Sequence, residues 1–207
     1  MPRSQPTRAV FLNVPFDPQY RLLFEAMLFA VYDCGFKPRC ALETTDAGQV
    51  RVQKISAIIR DCAFGIHDIS RTQLDERSGL PRFNMPFELG LFLGAKWFGT
   101  AGQCRKNCLI LDTERYRYQQ FISDIAGQDI KAHKGRPKLL ITAVRDWLRD
   151  LEPARLMPSG SVIFGRYQRF RRQLPSWCRR FDLTEDELGF NDYSWLVWRW
   201  LEAQPPG

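Results

Sequence analysis

From residue 9 to residue 151 the chain alternates short apolar runs with segments whose apolar residues recur at helical spacing, and that alternation admits few folds. AVFLNV (9–14), closed by Pro15, reads as a buried strand. Asp17 and Pro18 then open a helix carrying Leu22, Leu23, Ala26, Met27, Ala30 and Val31 and ending near Gly35. FKPRCAL (36–42) is a second strand, which Pro38 assigns to an edge or a late start. Val52, Ile55, Ile58 and Ile59 mark a second helix, AFGIHDIS (63–70) a third strand, and 81–99 a third helix. NCLILD (107–112) follows as a fourth strand, then a helix around 116–124, a short strand at 129–133, and a helix over PKLLITAVRDWLRDL. The expectation is an α/β fold: a doubly wound, mainly parallel sheet, Rossmann-like with flavodoxin-like strand order and helices on both faces.

After Pro153 the composition changes. FGRYQRFRRQLPSWCRRF interleaves aromatics with Arg166, Arg169, Arg171, Arg172, Arg179 and Arg180 and holds no acidic residue, and DYSWLVWRWLEA closes the chain with tryptophans. Residues 1–153 therefore read as one α/β domain, and 154–207 as a C-terminal helical appendage packed on that domain or on a second subunit. At 207 residues there is no room for two large domains. The net charge of +7 favours phosphorylated or polyanionic partners. No apolar run reaches the roughly 18 residues of a spanning helix, and MPRSQPTRAV lacks the apolar core of a signal peptide, so the expectation is a cytoplasmic protein without a membrane partner. Most of the six cysteines lie in apolar segments and read as reduced thiols. Cys104 and Cys108 lack a second ligand pair, and the histidines are His67 and His133, so no metal is expected.

The stretch PRFNMPFELGLFLGAKWFG contains one discordant residue, Glu88, among apolar neighbours. A buried carboxylate is costly unless something holds or uses it. In a doubly wound sheet the helices start beyond the carboxyl ends of the strands, where ligands bind, so Glu88 near its helix start belongs to that rim. Asn84 is placed to cap the helix, and unpaired first-turn amides would favour the charged carboxylate. Gly90 and Gly94 would let the helix approach the sheet closely. The structural alternative is a dipole-complementing Glu88 paired with Arg82 or Lys96. The functional one is a carboxylate in a dry aromatic pocket, able to stabilise a cation or act as nucleophile, as glycosidic bond cleavage requires.

Further candidates line the same rim. Phe16 could stack on a base and Asp17 bind a hydroxyl, although Asp17 before Pro18 is equally a helix start. His67 and Asp68 end the third strand, and Arg51 could meet a phosphate or simply be a solvated helix residue. No GxGxxG or Walker motif is present, which disfavours an ordinary dehydrogenase or ATPase. The arginine and aromatic run reads first as an amphipathic interaction helix, with nucleic-acid contact as a lesser alternative. The last helix, with Trp195, Trp198 and Trp200, reads as core or dimer interface.

FLNVPFD, CGFKPR, AFGIHDIS and FELGLFLGAK, over about residues 9–112, together resemble the nucleoside 2-deoxyribosyltransferase group and its relatives, the Toll/interleukin-1 receptor (TIR) domains. The resemblance implies that Glu88 matches the glutamate that attacks the anomeric carbon. In this scheme Asp68 and Asn84 orient the ribose and Phe16 faces the base. Arg82 stands where the transferases usually carry an Asp, with Asn84 the nearest polar substitute, so base preference stays open. The expected function is an N-glycosidase or N-glycosyltransferase acting on a nucleoside, nucleotide or NAD, with no resident cofactor and with NAD entering only as one of these alternative substrates. The TIR likeness further implies a homo-oligomer with a bacterial defence or signalling role. The alternative is a non-catalytic nucleotide sensor that acts through oligomerisation or a partner.

Overall fold

The computed structural model describes residues 8–72, 74 and 79–204. The N-terminal residues 1–7 read above for a leader, part of the charged loop (73 and 75–78) and residues 205–207 lie outside the described residues. The strands are β1 (Ala9–Asn13), β2 (Lys37–Arg39), β3 (Phe64–Asp68), β4 (Asn107–Asp112) and β5 (Lys131–Ala132). They form one parallel sheet in the order β2-β1-β3-β4-β5. The helices are α1 (Arg21–Asp33), α2 (Arg51–Asp61), α3 (Asn84–Phe98), α4 (Pro137–Leu151), α5 (Gly160–Arg180) and α6 (Phe190–Glu202). This is the doubly wound α/β fold expected from the alternation. The chain leaves β1 toward β2 on one side and returns to β3 on the other, so the carboxyl ends of β1 and β3 flank a topological switch point. Pro38 lies in edge strand β2, where a missing N–H is tolerated.

The two faces of the sheet are covered unequally. Val10 and Leu12 of β1, with Ile66 and Leu111, join a core made with α1 and α4, while Phe11 between them joins a second core with α2 and α3. On the first face α5 and α6 add another layer: Phe170 and Trp200 pack on Phe29 of α1 at ring-centroid distances of 5.6 and 5.8 Å. Helix α1 is covered on both sides, which accounts for its buried run from Glu25 to Val31. The arginine-rich α5 is amphipathic: Ile163, Tyr167, Phe170, Leu174 and Cys178 are buried, and Arg169, Arg172, Arg179 and Arg180 are exposed. Of the last tryptophans, Trp200 is buried, whereas Trp195 and Trp198 are exposed.

Two local expectations are corrected. Residues 116–124 form no α-helix; two 3₁₀ turns, Arg117–Gln120 and Ser123–Ile125, replace it. Tyr116 has φ 63°, which breaks a right-handed helix before it starts, and three apolar anchors hold only one short edge of the core. Gly90 and Gly94 do not admit a close helix approach, since a Cβ on either would meet open space. The close approach is at Gly65, where a Cβ would fall 2.8 Å from both His67 Nε2 and Phe92 Cε2.

Candidate functional site

At the switch point Asn13 ends β1 beside His67 of β3. The Asn13 amide Nδ2 donates to the Met85 carbonyl at 2.9 Å and lies 3.0 Å from His67 Nδ1, which fastens the first turn of α3 to the sheet end. With Nδ2 committed as a donor to Met85, His67 Nδ1 is the acceptor, so this imidazole is the neutral tautomer protonated on Nε2. Its ring is buried edge-on against Phe92, 4.8 Å between centroids, and against Phe11. Burial, with the nearby Lys106 charge, pushes its pKa down to about 3. His67 is therefore a support beneath the rim and does not face a ligand.

Glu88 is the fifth residue of α3, one turn before Phe92 on the same helix edge. It is 5% exposed, and among the described residues it has neither a hydrogen bond nor an ion pair. Burial raises its pKa to about 7, opposed by the Arg51 guanidinium at the start of α2. Neither Arg82 nor Lys96 pairs with it. The capping expectation is corrected here: Phe83 occupies the N-cap position, Asn84 is the exposed first helical residue without a side-chain cap bond, and the Phe87 amide already bonds the Phe83 carbonyl. Glu88 thus lies past the unpaired amides, and desolvation favours its neutral form. Phe83 and Phe87 are exposed at the start of α3, while Leu91 and Phe92 turn into the core.

Asp68 is withdrawn from any ligand. It is fully buried: its Oδ2 accepts from the Tyr20 hydroxyl and lies 3.1 Å from His133 Nε2, and its Oδ1 accepts from the Ser70 amide at 2.9 Å. The Gly135 amide donates to His133 Nδ1 at 3.0 Å, which leaves the ring proton on Nε2, the nitrogen nearer Asp68. Burial raises the Asp68 pKa, but the hydrogen bonds from His133, Ser70 and Tyr20 outweigh it and hold the carboxyl below its ordinary range. The ribose-orienting role expected of Asp68 is corrected on this geometry, because its lone pairs are spent inside the protein.

Asp17 serves the helix start: Oδ1 accepts from the Tyr20 amide at 3.1 Å, and Oδ2 lies 3.2 Å from Arg71. Phe16 is part-exposed at the rim, edge-on to Phe24 at 5.4 Å. Arg117 fixes the segment after β3, donating to Asp112 at 2.6 and 2.8 Å, to the Ile69 and Ser70 carbonyls at 3.0 and 2.9 Å, and to Thr72 Oγ1 at 2.9 Å. Glu88 and Arg51 are thus brought together electrostatically, Phe16 and Asn84 remain accessible, and His67 and Asp68 lie below the surface. Sequence reading missed Asn13, Tyr20, His133 and Arg117. The one available signal was the lone polar residue closing the apolar run of β1.

Among the described residues no group of His, Cys, Asp or Glu is placed to hold a metal, and no helix is long and apolar enough to cross a membrane. Cys104 is exposed, with its thiol 3.4 Å from the Gly99 carbonyl oxygen. The chain matches no family model, and neither a curated protein nor a solved structure matches it.

Proposed function

We propose that the protein cleaves the N-glycosidic bond of a nucleoside, nucleotide or NAD, with Glu88 as the nucleophile or cation stabiliser. The observation that carries this reading is a buried carboxylate at the switch-point rim, without a partner among the described residues, whose pKa is raised to about 7. In the resting site its charge is poorly solvated and only partly met by Arg51. A positive charge developing on the anomeric carbon supplies the missing counter-charge in the transition state and not before, which is the condition for catalysis by differential binding. As the glycosidic bond breaks, its electron pair leaves with the base, and a Glu88 oxygen bonds to, or electrostatically holds, the anomeric carbon. Water or an acceptor hydroxyl then takes that carbon, loses its proton, and frees the carboxylate. The exposed Phe16 is available to face the base, and Asn84 to meet the sugar. The likeness of FELGLFLGAK to the transferase and TIR helices supports the same residue.

The test is release of free base or nicotinamide from a panel of nucleosides and NAD, by wild type and by Glu88→Gln. Turnover by the variant should fall about a hundredfold or more with folding intact. Equal release by both proteins would overturn catalysis and leave a nucleotide-binding module.

A further inference from the structure

Helix α3 buries one side, with Leu89, Phe92 and Leu93, and leaves the other uncovered. Along the uncovered side Phe83, Phe87, Gly90, Gly94, Trp97 and Phe98 follow one another at helical spacing, so they form a single outward stripe. None of them is charged, whereas the solvent side of a surface helix is ordinarily polar. On the opposite face of the sheet the chain lays α5 and α6 over α1; the stripe on α3 has no such cover among the described residues.

The exposed area is that of an interface. Phe83, Phe87 and Trp97 are 58, 56 and 56% exposed, and Phe98 is 87% exposed. At about 200 Å² for a whole aromatic side chain, the four leave on the order of 500 Å² of apolar surface in water, as much as the largest patch of a typical monomer. Two such stripes brought together remove about 1,000 Å² before any rim is counted, the size at which specific interfaces begin. The exposed tryptophans of α6 differ, because Arg199 lies over both rings, 5.9 Å from Trp195 and 5.6 Å from Trp198.

The order of residues in the stripe selects its occupant. Read from either end it runs two aromatics, two glycines and two aromatics. A two-fold axis at Phe92, midway between the glycines, relates residues equidistant from that point. In an antiparallel crossing Gly90 then faces Gly94 of the partner subunit, and Phe87 faces Trp97 of the partner subunit. Self-complementarity of this kind is what an isologous pair requires. A Cβ on Gly90 or Gly94 would meet open space, so neither glycine serves a contact within the chain; their bare Cα atoms form a notch between the rings that a second backbone can approach. The antiparallel crossing also sets the positive start of each helix beside the carbonyl end of the other. Each chain carries a net charge of +7, and the uncharged stripe is where two copies meet with least repulsion.

We propose that the outward stripe of α3 is a dimer interface and that its partner is the same stripe of a second copy, crossing antiparallel about Gly90 and Gly94. The proposal uses none of the chemistry assigned to Glu88, which lies on the inward side of the helix.

The experiment is the solution mass and melting of the full chain, by sedimentation across the micromolar range. The wild type should be a dimer that dissociates on dilution, as suits an interface at the small end of the range. Gly90→Gln fills space that is open in the single chain and removes a helix-interior glycine, so it should melt no lower than wild type yet weaken the dimer about tenfold or more. Phe87→Glu and Trp97→Lys should each weaken it to a similar extent. Both changes in one chain should restore it in part, because the antiparallel pairing sets each new charge against its opposite on the partner. A wild type that stays monomeric at about 100 μM would overturn the interface, as would a dimer indifferent to Gly90→Gln. A double variant no better than the single ones would overturn the antiparallel pairing. A monomer that binds neutral phospholipid vesicles through Phe87 and Trp97 would give the stripe to a membrane surface instead.

Discussion

Asp68 and Glu88 lie at one rim of one sheet, yet their surroundings are opposite. On the α1 and α4 side, beneath a second layer of helices, Asp68 is met by a hydroxyl, an imidazole and a backbone amide, and its pKa is lowered. On the singly covered α2 and α3 side, Glu88 is nearly as buried, is met among the described residues only by the field of Arg51, and has its pKa raised to about 7. Burial alone therefore does not distinguish a structural carboxylate from a reactive one; the count of its committed partners does. The doubly covered side spends its charge on the fold. The other side holds one in reserve.

The sharpest way to break this contrast is to remove the structural member. Asp68→Ala leaves His133 and the Tyr20 hydroxyl buried without their acceptor and should cost about 3–5 kcal/mol in denaturant unfolding. A loss of about 0.5 kcal/mol, as for a surface site, would put the two carboxylates in one class. Because the folded-state pKa of Asp68 is depressed, its contribution is present above the ordinary carboxylate range and is lost as pH falls through the lowered value.

Glu88 has the opposite sign. Its folded pKa of about 7 exceeds the ordinary glutamate value of 4.5, so wild-type stability falls as pH rises between these values, and the penalty is complete above them. Glu88→Gln should therefore raise unfolding stability by up to about 3 kcal/mol at pH about 8, with little change at pH about 4. A variant less stable than wild type at the higher pH would show that Glu88 is structurally paired after all. The smallest effect is expected at Arg51: Arg51→Ala should raise the Glu88 pKa further, by less than about one unit for so exposed a charge. The acid limb of the base-release profile should move to higher pH accordingly. An unmoved limb would remove Arg51 from the site.

Much of the scaffold was legible because periodicity reports which side of an element is buried. The span 137–151 matches α4 residue for residue, and the order of strands and helices follows the alternation. The 116–125 segment was not legible, because a few apolar residues in a row do not distinguish a helical face from the side chains of successive tight turns. At the site, Glu88 stood out as a charge in an apolar stretch, but the expected reason for it was reversed: local capping logic favoured the carboxylate, whereas tertiary burial favours the acid. Tyr20, Asp68 and His133 meet only after three separate βα connections have closed, so no spacing along the chain announces them. Gly65 is similar, since its need for a bare Cα comes from an imidazole two residues on and a ring from α3.

The brevity of the outer strands bears on self-association. Sheet growth from one chain to the next needs a free ladder, but β2 offers three residues with a proline at their centre, and β5 offers two. Lys37 is exposed on the first edge and Lys131 on the second, each costly to cover with a neighbouring backbone. Strand-to-strand fusion of copies is thus blocked at both ends, a safeguard against fibrous aggregation. Any contact between copies falls instead to the helices, where Trp97 and Phe98 at the end of α3 and Trp195 and Trp198 on α6 stand in solvent.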